Sequence, residues 1–333
     1  MSGLRIWFMA ARPRTLPAAI APVLVGSAAA WTMHNFCYSE SSGFAGYFGC
    51  FETEFDFRWG AFAAALIGSI FIQIGTNLAN DYSDAKRGAD TVDRLGPVRV
   101  TASGLAAPRS VLTATWLAFA VAVAAGTYLA FVAGWVILAI GAASILAGVL
   151  YTGGPRPYGY AGLGELFVFL FFGLVAVNGS YYVQVEELDW LPFGLSVSVG
   201  CLATAILVVN NIRDIDTDRR VGKNTLAVRL GRERTRELFQ VLLVVAYLTL
   251  PLTLLLDPGR EVVVEFMGTR VEVEDFIGWW PLLGYLSLPL AWRAADPVLH
   301  RTDGPSLNDA LARTGLLLAA FSVAVSVGLL LAA

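Results

Sequence analysis

Residues 60–88, GAFAAALIGSIFIQIGTNLANDYSDAKRG, decide the fold of this chain. The first twenty residues of the stretch are mostly apolar, enough to cross about 30 Å of hydrocarbon as a helix. The run then ends in amides, acids and bases. The whole composition suits a membrane, because 56% of the 333 residues are hydrophobic and only 15% are charged, whereas a soluble domain carries about 25% charged residues. The sequence therefore predicts an all-α, polytopic membrane protein.

Hydropathy and length predict about nine transmembrane helices, packed as one domain over residues 1–333. The first apolar run follows a short basic N-terminus without a clear small-residue cleavage site, so we expect it to be a retained span. A central cavity between the helices is expected to open to the cytoplasmic side. The predicted spans lie near residues 16–33, 60–79, 110–130, 134–150, 164–183, 192–210, 238–256, 276–293 and 314–332.

The charges of the connecting segments alternate along the chain. Arg and Lys dominate before the first span and in every second loop, whereas Asp and Glu dominate the longer loops between, near residues 40–56, 186–189 and 257–275. The positive-inside rule then places the N-terminus in the cytoplasm and the C-terminus outside. One outer loop, REVVVEFMGTRVEVED at residues 260–275, has two β-branched runs around a short turn. This pattern predicts a β-hairpin.

The cysteines and histidines show no metal-ligand spacing. Cys37 and Cys50 share one predicted outer loop, where a disulfide is permitted. Cys201 lies in an apolar run and is predicted to be a small buried residue. His34 and His300 are lone residues in predicted loops, and we interpret them as surface histidines.

Two polar clusters lie at the cytoplasmic ends of predicted spans. The first cluster follows the second span, and its polar residues are spaced at i, i+3, i+4 and i+7, so that they form one stripe along a helix. The second lies in VVNNIRDIDTDRRVGKNTLAVRLGR, residues 208–232, and shares one helix face if the sixth span continues through it. The members are Asn77, Asn80, Asp81 and Asp84 in the first cluster and Asn211, Asp214 and Asp218 in the second.

Carboxylates at a membrane are costly and mark functional sites. Two facing acidic stripes supply the hard oxygen ligands of Mg²⁺, which prefers one or two carboxylates together with substrate phosphates. Nearby Arg and Lys side chains suit phosphate oxygens. The sequence thus predicts a diphosphate site with bridging Mg²⁺. The candidate metal ligands are Asp81, Asp84, Asp214 and Asp218, and the candidate phosphate-binding bases are Lys86, Arg87, Arg94, Arg99, Lys223 and Arg229.

Three other interpretations fit parts of the clusters. One cluster alone is also typical of helix caps and ordinary cytoplasmic charges, but two matched clusters favour a site. The segment DIDTDRRVGKNT is similar to a calcium loop, yet it has Arg219 where Gly is needed and Thr225 where Glu is needed. A secondary transporter also carries membrane-buried acids, but its sites lie near the bilayer midplane instead of at one face.

These segments together resemble the UbiA superfamily of intramembrane aromatic prenyltransferases, and within it the 1,4-dihydroxy-2-naphthoate polyprenyltransferases. The resemblance runs nearly end to end and rests on RPRTLPAAIAPVLVG, GTNLANDYSDAKRGADTVDRLGPVRVTASG, YTGGPRPYGYAGLGELFVFLFFG and NNIRDIDTDRRVGKNTLAVRLG. The superfamily often writes its first motif as N-D-x-x-D-x-x-x-D. Here the last position is Gly88, and Asp90 or Asp93 is the candidate replacement for the missing acid.

The resemblance implies transfer of a polyprenyl group from a polyprenyl diphosphate to 1,4-dihydroxy-2-naphthoate, with loss of CO₂ and diphosphate, in menaquinone or phylloquinone biosynthesis. Mg²⁺ and the bases would neutralise the leaving diphosphate, after which the aromatic ring attacks the allylic cation. Homogentisate, 4-hydroxybenzoate and a lipid glycerol stay open as acceptors, as do prenyl length and oligomeric state. No nucleic-acid partner is expected. The loops near 85–109 and 211–237 are expected to cap the site against water.

Other residues near the clusters receive candidate roles. Tyr151 is expected to face the cation with its ring or to position the aromatic substrate, and an interfacial tyrosine is the open alternative. Arg156 is a candidate for the substrate carboxylate or the diphosphate. The three cluster asparagines are expected to hold the remaining diphosphate oxygens. Arg12 and Arg14 stay open between a role in the site and a topology signal.

Overall fold

The structure is a computed structural model that describes residues 3–34, 56–90, 95–256, 260–266, 269–275 and 278–332. The described residues form twelve α-helices. They are α1 (Gly3–Ala11), α2 (Pro17–His34), α3 (Trp59–Arg87), α4 (Pro108–Ala133), α5 (Val136–Leu150), α6 (Gly164–Val168), α7 (Ala176–Val185), α8 (Trp190–Arg220), α9 (Leu226–Leu230), α10 (Arg232–Leu255), α11 (Leu288–His300) and α12 (Gly304–Ala332). Further helical turns are 3₁₀ segments at Pro13–Thr15, Tyr158–Ala161 and Trp280–Ser287, and a π-helical segment at Phe169–Val175.

Six helical segments of the described chain are long and apolar enough to cross a membrane: α3, α4, Gly164–Val185, α8, α10 and α12. A pair bent by 53°, Gly3–Thr15 and Pro17–Thr32, makes a seventh if it acts as one span. The predicted spans near 134–150 and 276–293 correspond to shorter pieces, α5 and the 3₁₀ segment that leads into α11. The helical membrane fold is confirmed, and the count of nine spans stays a prediction.

Helix α8 lies in the centre of the bundle. In its most apolar window 83% of the residues are buried, so that part of the helix is apolar on every side instead of along one stripe. Leu202 of α8 packs in one core with Leu250 of α10 and Leu317 of α12. A Cβ atom on Gly173 would lie 2.7 Å from the Cα atom of Gly200. The two glycines therefore allow the π-helical segment to approach α8 closely.

Helix α3 continues beyond its predicted span and carries the first polar cluster on its last turns. It ends at Arg87, and Gly88 follows in the left-handed region with φ 68°. The Gly88 N–H donates to the carbonyl of Ala85 at 3.1 Å. Glycine suits this C-terminal cap because it has no Cβ atom. The position at which the superfamily motif often has an acid is therefore a helix stop in this chain.

Helix α8 likewise continues to Arg220 and carries the second polar cluster. The predicted cap segment 211–237 is mostly helical, through α8, α9 and α10. That it caps the site against water stays a prediction. Arg232 of α10 contacts these turns, since it donates to the Ile212 carbonyl at 3.0 Å and pairs with Asp216 at 3.1 Å. Because the helix continues, the cluster is held by regular backbone instead of by a free loop.

The predicted β-hairpin is confirmed. Strands β1 (Arg260–Phe266) and β2 (Thr269–Asp275) pair antiparallel, with Phe266 opposite Thr269. Cys201 is buried, as predicted, whereas Cys37 and Cys50 lie outside the described residues. The His300 ring is exposed and lies 3.2 Å from the Asp296 carboxylate one turn before it; the side chain of His34 lies outside the described part.

Candidate active site

A cavity of about 320 Å³ lies inside the bundle, with walls from α2, α3, α4, α5, α7, α8 and the segments before α7. Its polar end is formed where α3 and α8 reach their charged turns, and includes Asp84 and Asp214. Towards the N-terminal parts of both helices its lining becomes apolar, with side chains such as Leu129 and Ile137. One continuous space thus joins a charged end to an apolar one, as expected for a site with a few convergent polar groups.

The first cluster divides between two surroundings. Asn77, Asn80 and Asp84 line the cavity, whereas Asp81 does not. The Asn77 amide donates to the Ala11 carbonyl at 3.0 Å, and the Asn80 side-chain oxygen accepts from the Thr152 hydroxyl at 2.8 Å. These bonds tie α3 to the N-terminal segment and to the loop after α5. The stripe expected from the helical period therefore reaches the cavity through three of its four members.

Asp81 binds the loop that precedes α4. Its Oδ2 accepts the backbone N–H of Val100 at 3.1 Å, and its Oδ1 accepts that of Thr101 at 2.9 Å. Both oxygens of a predicted metal ligand are thus engaged by backbone amides.

Asp84 is the buried acid of α3 that faces the cavity. Its Oδ2 accepts from Nη2 of Arg99 at 3.0 Å and its Oδ1 accepts from the hydroxyl of Tyr160 at 3.0 Å. Burial and the neighbouring Asp84 carboxylate raise the pKa of Tyr160, so its hydroxyl stays protonated and can donate. The Arg99 guanidinium also lies 3.3 Å from Oδ1 of Asp90.

Asp90 is therefore the acid that lies in space beside Asp84, although Gly88 occupies the motif position. The other candidate, Asp93, lies outside the described residues. Nη1 of Arg99 is buried and has no hydrogen-bond partner among the described residues. The guanidinium thus has a spare donor at the wall of the cavity, which suits an anionic ligand.

In the second cluster Asp214 lines the cavity and is bound by the residue next to it in the chain, Arg213. Arg213 donates through Nε and Nη2 to the two oxygens of Asp214, at 2.8 and 2.6 Å. The same guanidinium, only 1% exposed, donates to Asn210 and to Asn308 of α12 at 2.8 Å each. Sequence reasoning did not select Arg213 or Asn210. The signal for Asn210 was its i, i+4 spacing from Asp214.

Asn211 takes a different place from the one expected. It donates to Oε1 of Glu165 on α6 at 2.8 Å and does not line the cavity, whereas Asn210 does. The i, i+3 spacing put Asn211 near the face of Asp214, but the small arc between them is enough to turn it towards α6. Asp218 lies 4.0 Å from the Lys223 ammonium, and Lys223 lines the cavity.

The loop after α5 joins the two clusters through Tyr160, a residue that sequence reasoning quoted but did not select. Its hydroxyl donates to Asp84, and the charges of Arg87 and Lys223 lie 5.6 and 5.2 Å from its ring centroid. The Tyr160 carbonyl accepts the N–H of Asn224 at 3.2 Å. Cations at this distance are attracted by the ring face.

The remaining predicted bases and Tyr151 are distributed unevenly. Tyr151 and Arg12 line the cavity, and Arg12 has a left-handed backbone with φ 54°. Arg87 donates to the carbonyls of Thr152, at 3.1 Å, and Gly154, so it holds the loop instead of facing the cavity. The exposed bases that do not line the cavity are Lys86, Arg156, Arg14 and Arg229, and Arg94 lies outside the described residues.

In the described part of the chain, no three His, Cys, Asp or Glu side chains come close enough to hold a metal ion by themselves. The cavity nevertheless presents Asp84, Asp214 and the Asn80 amide together with Arg99 and Lys223. This is the donor set of a hard cation that shares its coordination with an anionic ligand, as Mg²⁺ does with phosphates. The residues fit a metal held jointly by protein and substrate.

The sequence profile of the UbiA prenyltransferase family matches residues 41–267. The chain belongs to the UbiA prenyltransferase family. This UbiA-family protein is 41% identical to the 1,4-dihydroxy-2-naphthoate octaprenyltransferase of Mycobacterium tuberculosis, over 98% of this chain and 97% of that protein. The enzyme of the same name from Escherichia coli K12 is 35% identical, over 94% of this chain and 91% of that protein.

A solved structure supports the UbiA fold. The UbiA homologue from Archaeoglobus fulgidus bound to DMAPP and Mg²⁺ superimposes with a TM-score of 0.57 at 13% identity, over 96% of this chain and 99% of that one. The profile match and the two sequence relatives confirm the resemblance to the UbiA superfamily that the four sequence segments indicated, and the solved structure supports the fold.

Proposed function

We propose that this protein transfers a polyprenyl group from a polyprenyl diphosphate to 1,4-dihydroxy-2-naphthoate, releasing diphosphate and CO₂, in quinone biosynthesis. The observation that carries the proposal is the single cavity with Asp84 and Asp214 at a charged end and an apolar remainder. A diphosphate suits the first part and a prenyl chain suits the second. The acceptor follows from the two relatives named as 1,4-dihydroxy-2-naphthoate octaprenyltransferases, one of which is 41% identical.

Asp84 and Asp214, with the Asn80 amide, would hold Mg²⁺ together with the diphosphate. Asp218 does not line the cavity and lies 4.0 Å from the Lys223 ammonium, so it would act as a ligand only on the outer side of the diphosphate. The bound metal would supply charge neutralisation for the leaving diphosphate. Mg²⁺ in the fold relative from Archaeoglobus fulgidus supports this assignment. Arg99 and Lys223 would bind further diphosphate oxygens, Arg99 through its spare Nη1 donor.

Four aromatic side chains form a continuous wall of the cavity and supply the surroundings for the carbon chemistry. The ring centroids of Tyr151 and Tyr158 are 5.4 Å apart, those of Tyr158 and Phe167 are 4.0 Å apart and stacked, and those of Phe167 and Phe171 are 6.1 Å apart. Ring faces attract a cation, and an apolar wall excludes the water that would capture it. The π-helical segment contributes Phe171, consistent with the frequent use of such turns at functional sites.

The proposed reaction is balanced without an oxidant. The allylic C–O bond breaks and its electrons leave with the diphosphate. The ring carbon that bears the carboxylate then forms the new C–C bond. Finally the bond from that carbon to the carboxylate breaks, its electrons return to the ring and CO₂ departs. The wall and the buried basic side chains have to hold the two substrates together and dry through these steps.

The test is an assay of purified protein in lipid with polyprenyl diphosphate and 1,4-dihydroxy-2-naphthoate, with and without Mg²⁺, and product detection by mass spectrometry. We expect a prenylated, decarboxylated product that requires Mg²⁺ and is lost in Asp84→Ala and Asp214→Ala. Asp309→Ala is the matched control, because that carboxylate is exposed and pairs only with Arg313 one turn away among the described contacts. Full activity of both cavity variants would contradict the proposal.

Competition between acceptors separates the open alternatives. Homogentisate, 4-hydroxybenzoate and a glycerol lipid are each added with 1,4-dihydroxy-2-naphthoate at equal concentration. We expect the naphthoate to give nearly all of the product. Preferential prenylation of another acceptor would show that this acceptor, and not the naphthoate, is the substrate. The same preparation tests orientation: we propose a cytoplasmic N-terminus and an external C-terminus from the alternating loop charges, and protease access to tags at the two ends measures it.

A further inference from the structure

We propose that Asp81 is a positioning residue that fixes the segment 99–101 and thereby aims Arg99 into the cavity, and that it is not a metal ligand. The inference rests on the proposed function in one respect, the binding of a diphosphate by Arg99. It assigns different tasks to two carboxylates, Asp81 and Asp84, that stand three residues apart on the same helix.

The first observation is where the Asp81 carboxylate points. Its two oxygens accept the N–H groups of two successive residues, Val100 and Thr101, at 3.1 and 2.9 Å. The side chain is 2% exposed and does not line the cavity, whereas that of Asp84 does. A carboxylate has two acceptor oxygens and an amide has only one, so Asp, and not Asn, satisfies both backbone donors.

The second observation is that two further contacts hold the same segment in place. The Val100 side chain is fully buried in an apolar cluster with Leu78 of α3 and Val111 of α4. The Arg99 carbonyl accepts from the Ser103 hydroxyl at 2.6 Å. The backbone on which Arg99 stands is thereby held against α3, one turn before Asp84.

The third observation is the geometry of Arg99 itself. Nη2 binds Asp84 at 3.0 Å, Nε lies 3.3 Å from Asp90, and Nη1 is buried without a partner among the described residues. A guanidinium is a planar, rigid fork, so the direction of Nη1 follows from the placement of its backbone and its other two contacts. Loss of the two Asp81 hydrogen bonds would leave the Arg99 side chain in place on the segment next to α3, but the direction of its Nη1 group would no longer be fixed.

The test compares Asp81→Asn with Asp84→Asn in the full-length protein, using two readouts that do not need turnover. Hydrogen–deuterium exchange of peptides covering 95–106 reports the segment, and Mn²⁺ EPR titration in the presence of inorganic diphosphate reports the metal site. We expect Asp81→Asn to speed exchange in that segment and to keep Mn²⁺ affinity within about twofold. Asp84→Asn removes a charged oxygen ligand and should lower the affinity by at least the roughly tenfold that loss of an outer-shell partner costs.

The activity assay then separates positioning from direct binding. Asp81→Asn should raise the KM for polyprenyl diphosphate about tenfold, as expected for one lost hydrogen bond to a charged group, with a smaller change in kcat. In an Arg99→Ala background the same substitution should have almost no further effect, because residues that act through one another are not additive. Arg109→Ala, an exposed base on α4, is the matched control for Arg99→Ala.

Several results would overturn the inference. Equal loss of Mn²⁺ affinity in Asp81→Asn and Asp84→Asn would make Asp81 a ligand, and additive losses with Arg99→Ala would separate the two residues. If Asp81→Asn does not fold, Val100→Ala loosens the same segment without touching a carboxylate and should raise the same KM; an unchanged KM would refute the aiming role. Failure of the naphthoate assay alone would count against the proposed function, because exchange and Mn²⁺ binding are measured without an acceptor.

Discussion

Substitution of Tyr160 by Phe isolates one bond at the junction of the two polar clusters. The change removes the hydroxyl that donates to Oδ1 of Asp84 at 3.0 Å and keeps the ring that lies 5.6 Å from the charge of Arg87 and 5.2 Å from that of Lys223. The Tyr160 carbonyl bond to the Asn224 N–H is a backbone bond and is also retained. The variant thus tests the orientation of the Asp84 carboxylate with little other disturbance.

The magnitude follows from the kind of bond removed. A hydrogen bond to a charged group contributes about 1.5–3 kcal/mol, and Asp84 keeps its second partner, Arg99, at 3.0 Å. We therefore expect the lower end, about 1.5 kcal/mol, which corresponds to roughly a tenfold fall in kcat/KM. Tyr160→Leu also removes the aromatic ring that lies near both bases and should lower kcat/KM further.

The assay is steady-state turnover with varied polyprenyl diphosphate at saturating Mg²⁺ and naphthoate. Tyr128→Phe is the matched control, because Tyr128 is an exposed residue of α4 that does not line the cavity. A kcat/KM for Tyr160→Phe within twofold of the unmodified protein would refute the reasoning, since the Asp84 carboxylate would then not depend on this donor.

Three further predictions follow from other contacts. Phe171→Leu should increase the release of free prenyl alcohol relative to prenylated product by opening the aromatic wall, whereas Phe169→Leu, whose ring packs towards Gly200, should not; equal leakage in both would argue against the wall. Arg213→Gln should lower the free energy of unfolding by about 3–5 kcal/mol, because it leaves the buried Asp214 carboxylate without its bidentate partner, and a melting temperature close to that of the unmodified protein would contradict this. The pKa of Tyr160 is raised in the folded protein, so the contribution of its protonated hydroxyl to stability is fully present below the unfolded pKa of about 10 and is lost as pH rises through the folded pKa. The fall in melting temperature between pH 8 and pH 10.5 should therefore be larger in the unmodified protein than in Tyr160→Phe, and equal falls would exclude this linkage.

Much of the architecture was readable from local sequence patterns. Apolar runs near 60–79 and 192–210 correspond to α3 and α8, and the alternating run at 260–275 corresponds to the hairpin. These features depend on the periodicity and length of short stretches, which are local properties of the sequence and do not depend on what packs against them. The predicted spans near 134–150 and 276–293 overlap the short helices α5 and α11, and the length of such a helix does not by itself decide whether it crosses the bilayer.

The sequence by itself determined that two acidic clusters exist, each at the charged end of a long apolar helix, and that the resemblance to the UbiA superfamily runs nearly end to end. Only the tertiary structure decided which members face the cavity. In the structure Asp84 faces the cavity, whereas Asp81 accepts hydrogen bonds from backbone amides. Asn210 lines the cavity and Asn211 does not. Tyr160 binds Asp84 and Arg213 binds Asp214, two pairs that the sequence spacing did not indicate. The physical reason is that helical periodicity fixes the angle between neighbouring side chains, whereas the partner at each angle is set by the segment packed there.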